Sequence, residues 1–142
     1  MKTIRLLLGI ALFIPFLSCN AQSSRKEVKT SDSNSDKIEA YYFHFTARCV
    51  TCRTIEAKAK ENLEVLYPNQ VKQGLITFQS VNLEEASSKP LAERLGVSGQ
   101  TLLLVKGDQK INLTNDGFMY AVAKPEKFKG IINEKVDGLL IK

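Results

Sequence analysis

Two cysteines, Cys49 and Cys52, lie three residues apart in the stretch HFTARCVTCRTIE, which covers residues 44–56. A Cys-x-x-Cys pair can exchange disulfides, hold a soft metal ion or form an inert structural disulfide, and the spacing alone permits all three. A disulfide that closes so small a loop removes little chain entropy, so stability alone is a weak reason for having one. The surroundings of the two cysteines have to distinguish between these uses.

The two cysteines lie where a predicted strand ends and a predicted helix begins. The unpaired N–H groups and the macrodipole at a helix start favour negative charge, so a thiolate on Cys49 is stabilised there. Arg48 and Arg53 flank the two cysteines and are predicted to act in the same direction. Since the thiolate is the attacking species, we predict that Cys49 attacks a partner's disulfide, or is attacked, and that Cys52 resolves the mixed disulfide.

Two further side chains near the cysteines are candidates for a role in the site. His44, the single histidine, is predicted to be a strand residue hydrogen-bonded in or beside the sheet. The alternatives are a base near Cys52 or a third ligand to a soft metal ion held by Cys49 and Cys52. Glu56 lies one helical turn after Cys52 and could take up the proton of its thiol. The competing interpretation of Glu56 is a solvated carboxylate paired with Lys60 at i+4.

The third cysteine, Cys19, follows an N-terminal segment that is typical of a secretory signal. The segment has a positively charged start, and its apolar stretch over residues 6–17 is too short to span a bilayer. Ser18 followed by Cys19 resembles the lipobox of bacterial lipoproteins, in which the cysteine becomes the lipidated first residue. We predict a signal peptide over residues 1–18 and a membrane anchor at Cys19, with ordinary cleavage after Ala21 as the alternative.

Removal of the signal peptide leaves 124 residues, enough for one domain, with its two cysteines in a compartment where disulfides form. Residues 19–37 are polar and poor in large apolar side chains, so we predict a flexible tether before a domain over residues 38–142. The net charge falls from +5 to +3 without Lys2 and Arg5, which is too mild for a nucleic-acid groove. We expect a periplasm-facing, membrane-anchored monomer.

From residue 38 onward the hydrophobic pattern predicts alternating strands and helices. Strands are predicted over residues 38–45 and 74–83 and, around a tight Gly107-Asp108 turn, as an antiparallel pair within 100–114. Helices are predicted over residues 52–67, 84–97 and 125–140. The order βαβαββα predicts an α/β fold whose mixed four-stranded sheet has helices on both faces.

Two apolar groups near the C-terminus complete the predicted domain. In the last helix, one stripe is formed by Phe128, Ile132, Val136 and Leu139. Residues 116–123 are predicted to be a loop in which Phe118, Met119 and Tyr120 cover the sheet edge or the core. If they were exposed instead, they would form a docking surface.

The element order and the RCVTC motif resemble the thioredoxin superfamily over residues 38–142. More narrowly, the segments YYFHFTARCVTCRTIE, VSGQTLLLV, INLTN and FMYA...KPEKF resemble a small bacterial thioredoxin-like family named nitrophenyl compound nitroreductase subunit ArsF. The superfamily implies a thiol–disulfide oxidoreductase that acts through Cys49 and Cys52 on a protein disulfide or dithiol. The sequence contains no flavin or nicotinamide motif, and no cofactor is predicted.

Two departures from the superfamily pattern affect the site. Thioredoxins usually have Trp before the first cysteine and Gly-Pro between the two, where this chain has Arg48 and Val50-Thr51. The superfamily also has a cis-proline opposite the cysteines, at the start of the third strand. The corresponding loop here consists of Ser98, Gly99, Gln100 and Thr101.

A cis peptide without proline costs about 3–4 kcal/mol, so we predict a trans peptide and a substrate-facing loop that is built differently. In the superfamily the proline also shields the thiols from metals. Its absence keeps open the alternative function, a binding module that holds a soft metal or metalloid on the same two thiolates.

Overall fold

The computed structural model describes residues 36–141. The predicted signal peptide, the lipidation site at Cys19 and nearly all of the predicted tether lie outside the described residues. The strands are β1 (Ile38–His44), β2 (Ile76–Asn82), β3 (Thr101–Lys106) and β4 (Gln109–Asn112). The helices are α1 (Val50–Leu66), α2 (Pro68–Lys72), α3 (Lys89–Leu95), α4 (Thr114–Tyr120) and α5 (Pro125–Leu140). In this part of the chain no helix is long and apolar enough to cross a membrane.

The four strands form one mixed sheet in the order β2-β1-β3-β4. β1 pairs with β2 in parallel, with Tyr42 opposite Ser80, and with β3 in antiparallel orientation, with Tyr42 opposite Leu102. β3 and β4 form the predicted antiparallel hairpin, in which Gly107 adopts a φ of 56° that favours glycine. β1 is thus a central strand, and its C-terminal end leads directly toward the cysteines.

Helices cover both faces of this sheet. Since alternate residues of β1 point to opposite sides, β1 contributes side chains to a separate core on each face. Ala40 and Tyr42 belong to a core shared with α1 and α5, whereas Tyr41 and Phe43 belong to a second core closed by α3. The predicted apolar stripe of α5 is fully buried in the first of these cores. The result is the predicted α/β fold with a thioredoxin-like arrangement.

Two predicted helices have different bounds in the structure, and the short helix α2 was not predicted. α1 begins at Val50 because Cys49 caps it, and it ends before Pro68 as predicted. Pro68 itself opens the short helix α2, where the fixed φ of proline suits the first turn. The predicted helix over residues 84–97 is a single 3-10 turn followed by α3, and Gly96 ends α3 with a φ of 72°.

The predicted loop over residues 116–123 is wrong in its first part, which is helix α4. Gly117 within this helix and its two cap residues, Leu113 and Ala121, recur at intervals of four residues and are buried. Phe118 and Met119 lie on the outer side, with 46% and 59% of their surfaces exposed, so the prediction that they cover the core is wrong. Tyr120 is half-buried and packs against the core, as predicted.

Candidate functional site at the Cys49–Cys52 disulfide

Cys49 and Cys52 form a disulfide at the start of α1, with Cα atoms 5.2 Å apart. Cys49 is the N-cap of α1, and its Sγ accepts a hydrogen bond from the backbone N–H of Cys52 at 3.3 Å. Cys49 is exposed, whereas only 6% of Cys52 is exposed. The two sulfurs therefore differ in their surroundings: the outer one is accessible and accepts a hydrogen bond from a backbone N–H, and the inner one is shielded.

The loop between β1 and α1, which carries the chain to Cys49, is tied to the end of β2. The backbone N–H of Thr46 donates to Glu84 Oε2 at 2.8 Å, and Asn82 Nδ2 donates to Thr46 Oγ1 at 3.0 Å. The backbone N–H of Leu83 donates to the carbonyl of His44 at 2.8 Å. Hydrogen bonds from Thr46 hold the pKa of Glu84 below its ordinary value. Three hydrogen bonds thus tie the end of β1 and the start of the loop to the last residue of β2 and the two residues after it.

Arg48 and Glu56 form an ion pair in which Arg48 Nη1 donates to Glu56 Oε2. Arg48 directly precedes the outer cysteine, and Glu56 lies one helical turn after the inner one. Their side chains are 22% and 20% exposed, so the ion pair is partly shielded from water. The alternative in which Glu56 pairs with Lys60 is wrong, since Lys60 lies 3.9 Å from a carboxylate oxygen of Glu64 instead.

Arg53, the second predicted cation, directly follows Cys52 in the first turn of α1. Its backbone N–H donates to the carbonyl of Cys49 at 3.2 Å and closes the first turn of α1. Its exposed side chain and Glu56 line a cavity of about 340 Å³ between α1 and β2, together with Ala57, Lys60, Phe78 and Ser80. The structure therefore pairs Glu56 with Arg48 and leaves the Arg53 side chain facing this cavity.

The loop of residues 98–101 lies at the same end of the sheet as the disulfide. β3 runs antiparallel to β1, and its first residue, Thr101, pairs with Phe43 near the end of β1. The Thr101 hydroxyl donates to the carbonyl of Gly99 at 3.0 Å and bends the loop locally. The side chain of Gln100 points inward, where its Nε2 donates to the hydroxyl of Tyr42.

Tyr42 is a member of the site that sequence reasoning missed. It is only 1% exposed, and burial raises its pKa. The hydrogen bond from Gln100 lowers this pKa, the charge of Glu56 raises it and the charge of Arg48 lowers it. The hydroxyl thus lies in the field of the ion pair beside the disulfide. In the sequence, its place on the same face of β1 as His44 was the only indication that Tyr42 belongs to the site.

His44 is a strand residue whose two ring nitrogens are both engaged by the protein. Nδ1 donates to the carbonyl of Phe45 at 3.0 Å, and Nε2 lies 2.9 Å from the hydroxyl of Ser80. This arrangement agrees with the predicted hydrogen-bonded strand residue. Residues 36–141 contain no group of three His, Cys, Asp or Glu side chains that could hold a metal ion. His44 is therefore not brought together with the two cysteines as a set of three ligands.

The fold and the site define a class: an α/β domain with a thioredoxin-like arrangement that carries a CxxC disulfide at the start of the helix after its central strand. Compared with known proteins, the chain matches no protein-family model and no curated protein.

Proposed function

We propose that this domain is a thiol–disulfide oxidoreductase that exchanges disulfides with a protein partner through Cys49 and Cys52. The supporting observation is the unequal environment of the two sulfurs. Cys49 is exposed and its sulfur accepts a backbone N–H at a helix start, whereas Cys52 is buried beside it. N–H groups and the helix dipole stabilise a thiolate at the outer position, which is the form that attacks disulfides.

The reaction in the reducing direction has two steps. The Cys49 thiolate attacks one sulfur of the partner disulfide, so that a mixed disulfide forms and the partner's other sulfur leaves as a thiolate. The Cys52 thiolate then attacks Cys49 Sγ, which restores the Cys49–Cys52 disulfide and releases the partner's second thiolate. Two electrons pass from this domain to the partner, and the released thiolates take up the protons lost by the cysteines. The oxidising direction is the same sequence in reverse.

The ion pair of Arg48 and Glu56 supports a division of labour between the cysteines. The guanidinium adjoins the outer cysteine in sequence and favours a negative charge there, whereas the carboxylate lies one turn beyond the inner cysteine and favours a neutral thiol. Because the two charges are paired, each partly cancels the effect of the other on the ionisation of the thiols.

Trapping of the mixed disulfide tests the proposal. Cys52→Ser removes the resolving thiol, so Cys49 should accumulate a mixed disulfide with a disulfide-containing peptide. Cys49→Ser is the matched control and should trap far less peptide, because Cys52 is buried. Wild-type protein is then equilibrated with defined glutathione ratios, alkylated and weighed by mass spectrometry.

A cysteine pair that never changes redox state across these ratios would overturn the proposed exchange. Purified protein that carries stoichiometric zinc or Cu(I), with the thiols blocked against alkylation, would support the soft-metal binding module instead.

The proposal includes export and attachment of the monomeric domain to a membrane through a lipid on Cys19. Its support is the sequence: a short apolar stretch ending in Ser18-Cys19, followed by the polar residues 20–37. Cys19→Ala is expected to release the protein from membranes while leaving disulfide exchange unchanged. A mature N-terminus at Gln22 would overturn the anchor.

The resemblance to the thioredoxin superfamily is part of this proposal, and the narrower nitroreductase name is not carried over. Reduction of a nitro group by this chain would need a flavin or nicotinamide partner, and the sequence contains no motif for either. A protein disulfide or dithiol is the proposed partner, and no nucleic acid is proposed.

A further inference from the structure

Tyr42 and Gln100 make a side-chain contact at the disulfide end of the sheet that the proposed exchange does not use. Tyr42 is 1% exposed in the core between the sheet and α1. Gln100 is half-buried just before β3, and its Nε2 donates to the Tyr42 hydroxyl. Burial of a hydroxyl or an amide costs free energy unless the group is hydrogen-bonded. The bond between Gln100 and Tyr42 gives each of the two groups a hydrogen-bond partner.

Strand pairing does not hold the loop that contains Gln100. The ladder between β1 and β3 begins with Phe43 opposite Thr101, so residues 98–100 lie beyond it. The Thr101 hydroxyl bonds to Gly99 and is a contact within the loop. The bond from Gln100 to Tyr42 joins residues 58 positions apart and ties the loop to the central strand.

The same hydroxyl is influenced by the charges of Arg48 and Glu56 near the disulfide. The charges of Glu56 and Arg48 act in opposite directions on the pKa of Tyr42, after burial and the bond from Gln100. Tyr42 therefore contacts the loop of residues 98–101 through Gln100 and lies within the electrostatic field of the ion pair.

We propose, on the basis of the exchange function above, that Tyr42 is a positioning residue for reaction with protein partners. Its hydroxyl holds Gln100, and Gln100 fixes the loop at the end of the sheet where Cys49 also lies, so that a polypeptide that reaches Cys49 passes this loop. A small disulfide such as oxidised glutathione reaches the exposed Cys49 without a long stretch of chain along this end of the sheet. The hydroxyl should therefore matter for large partners and not for small ones.

Tyr42→Phe tests this role, because it keeps the ring and removes only the hydroxyl. Exchange is measured with a disulfide-containing protein and with oxidised glutathione. With the protein, kcat/KM should fall about fivefold, the effect of one lost hydrogen bond, mainly through a higher KM. With glutathione, the rate should stay within about twofold of wild type. The matched control is Tyr41→Phe on the opposite face of the sheet, which should change neither rate.

A double-mutant cycle identifies Gln100 as the intermediary. Gln100→Ala should produce the same selective loss, and the double variant should be no slower than either single variant. If Tyr42→Phe does not fold, Gln100→Ala carries the test, since Gln100 lies outside both cores.

Three outcomes would overturn the role of Tyr42: equal slowing with both substrates, wild-type rates with both, or additive effects of the two substitutions. Failure of the proposed function is distinguishable, because the wild-type protein would then exchange with neither glutathione nor the disulfide-containing protein.

Discussion

Gly117 of α4 lies so close to Ile55 of α1 that a Cβ at position 117 would be 2.8 Å from Ile55 Cγ2. Ile55 is 1% exposed and lies three residues after Cys52. This contact docks α4 against the part of α1 that follows the disulfide, and it requires the absence of a side chain at position 117.

Gly117→Ala is accordingly expected to destabilise the domain by about 1–2 kcal/mol. The added methyl meets a β-branched side chain in a packed core, and the overlap outweighs the gain in helix propensity. Urea unfolding measures the change. Gly130→Ala in α5 is the control, because nothing lies within 4 Å of a Cβ there, and it should stabilise the domain by up to about 1 kcal/mol. Equal stability of the Gly117 variant and wild type would contradict the contact.

The sheet and the long helices could be predicted because their burial follows a simple period. The four apolar residues of α5 recur every three or four positions, and the structure buries all of them. Helix α4 could not be predicted in this way. Gly117 disfavours a helix on intrinsic propensity, and the contact with Ile55 that requires glycine is visible only in three dimensions.

The position of the cysteines at a helix start was predictable from the local sequence. The polar contacts around them, between Arg48 and Glu56 and between Tyr42 and Gln100, were not. Capping of α1 by Cys49 follows from the junction of strand and helix. Arg48 lies in a loop eight residues before Glu56, outside the i+4 rule that favoured Lys60. The link from Tyr42 to Gln100 depends on the register of two strands, which the hydrophobic pattern does not specify.

Removal of either partner of the Arg48–Glu56 ion pair should change the reactivity of Cys49, and the two substitutions should change it in opposite directions. Glu56→Gln frees the charge of Arg48 to stabilise the Cys49 thiolate, whereas Arg48→Ala removes this cation and leaves the Glu56 carboxylate uncompensated. A charge interaction of about 1 kcal/mol corresponds to about fivefold in rate. In a Cys52→Ser background at about pH 6, alkylation by iodoacetamide should be about fivefold faster in the first variant and about fivefold slower in the second.

Lys58→Ala is the control for this measurement, because Lys58 forms an exposed ion pair with Glu61 on the same helix and is not predicted to belong to the site. The alkylation rate of this control should stay within about twofold of the rate of the Cys52→Ser parent. Changes of the same sign in the Arg48 and Glu56 variants would show that the ion pair acts on the fold of the loop and not on the thiolate charge.

Asn62 is expected to be a site where an apolar substitution stabilises the domain. Its side chain is 7% exposed, and among the described residues its Nδ2 has no hydrogen-bond partner. Asn62→Leu removes this unsatisfied donor and should raise the free energy of unfolding by about 1–2 kcal/mol, measured with urea at an unchanged m-value.

Asn133→Leu is the matched comparison. The Asn133 side chain accepts from Tyr67 at 3.0 Å and donates to Asp137 at 3.1 Å, so its replacement should destabilise the domain. A shift of both variants in the same direction would mean that hydrogen bonding does not decide the difference.

The bond between Thr46 and Glu84 should make the loop before Cys49 sensitive to acid. Thr46 lowers the pKa of Glu84 from its ordinary value of 4.5, so the folded pKa lies below the unfolded one. The ionised carboxylate therefore stabilises the folded loop above pH 4.5, and its contribution is lost as the pH falls through the lower folded value. The Thr46 amide resonance, followed by NMR, should titrate with a midpoint below 4.5. In Glu84→Gln this titration should vanish, and a wild-type midpoint at or above 4.5 would contradict the bond.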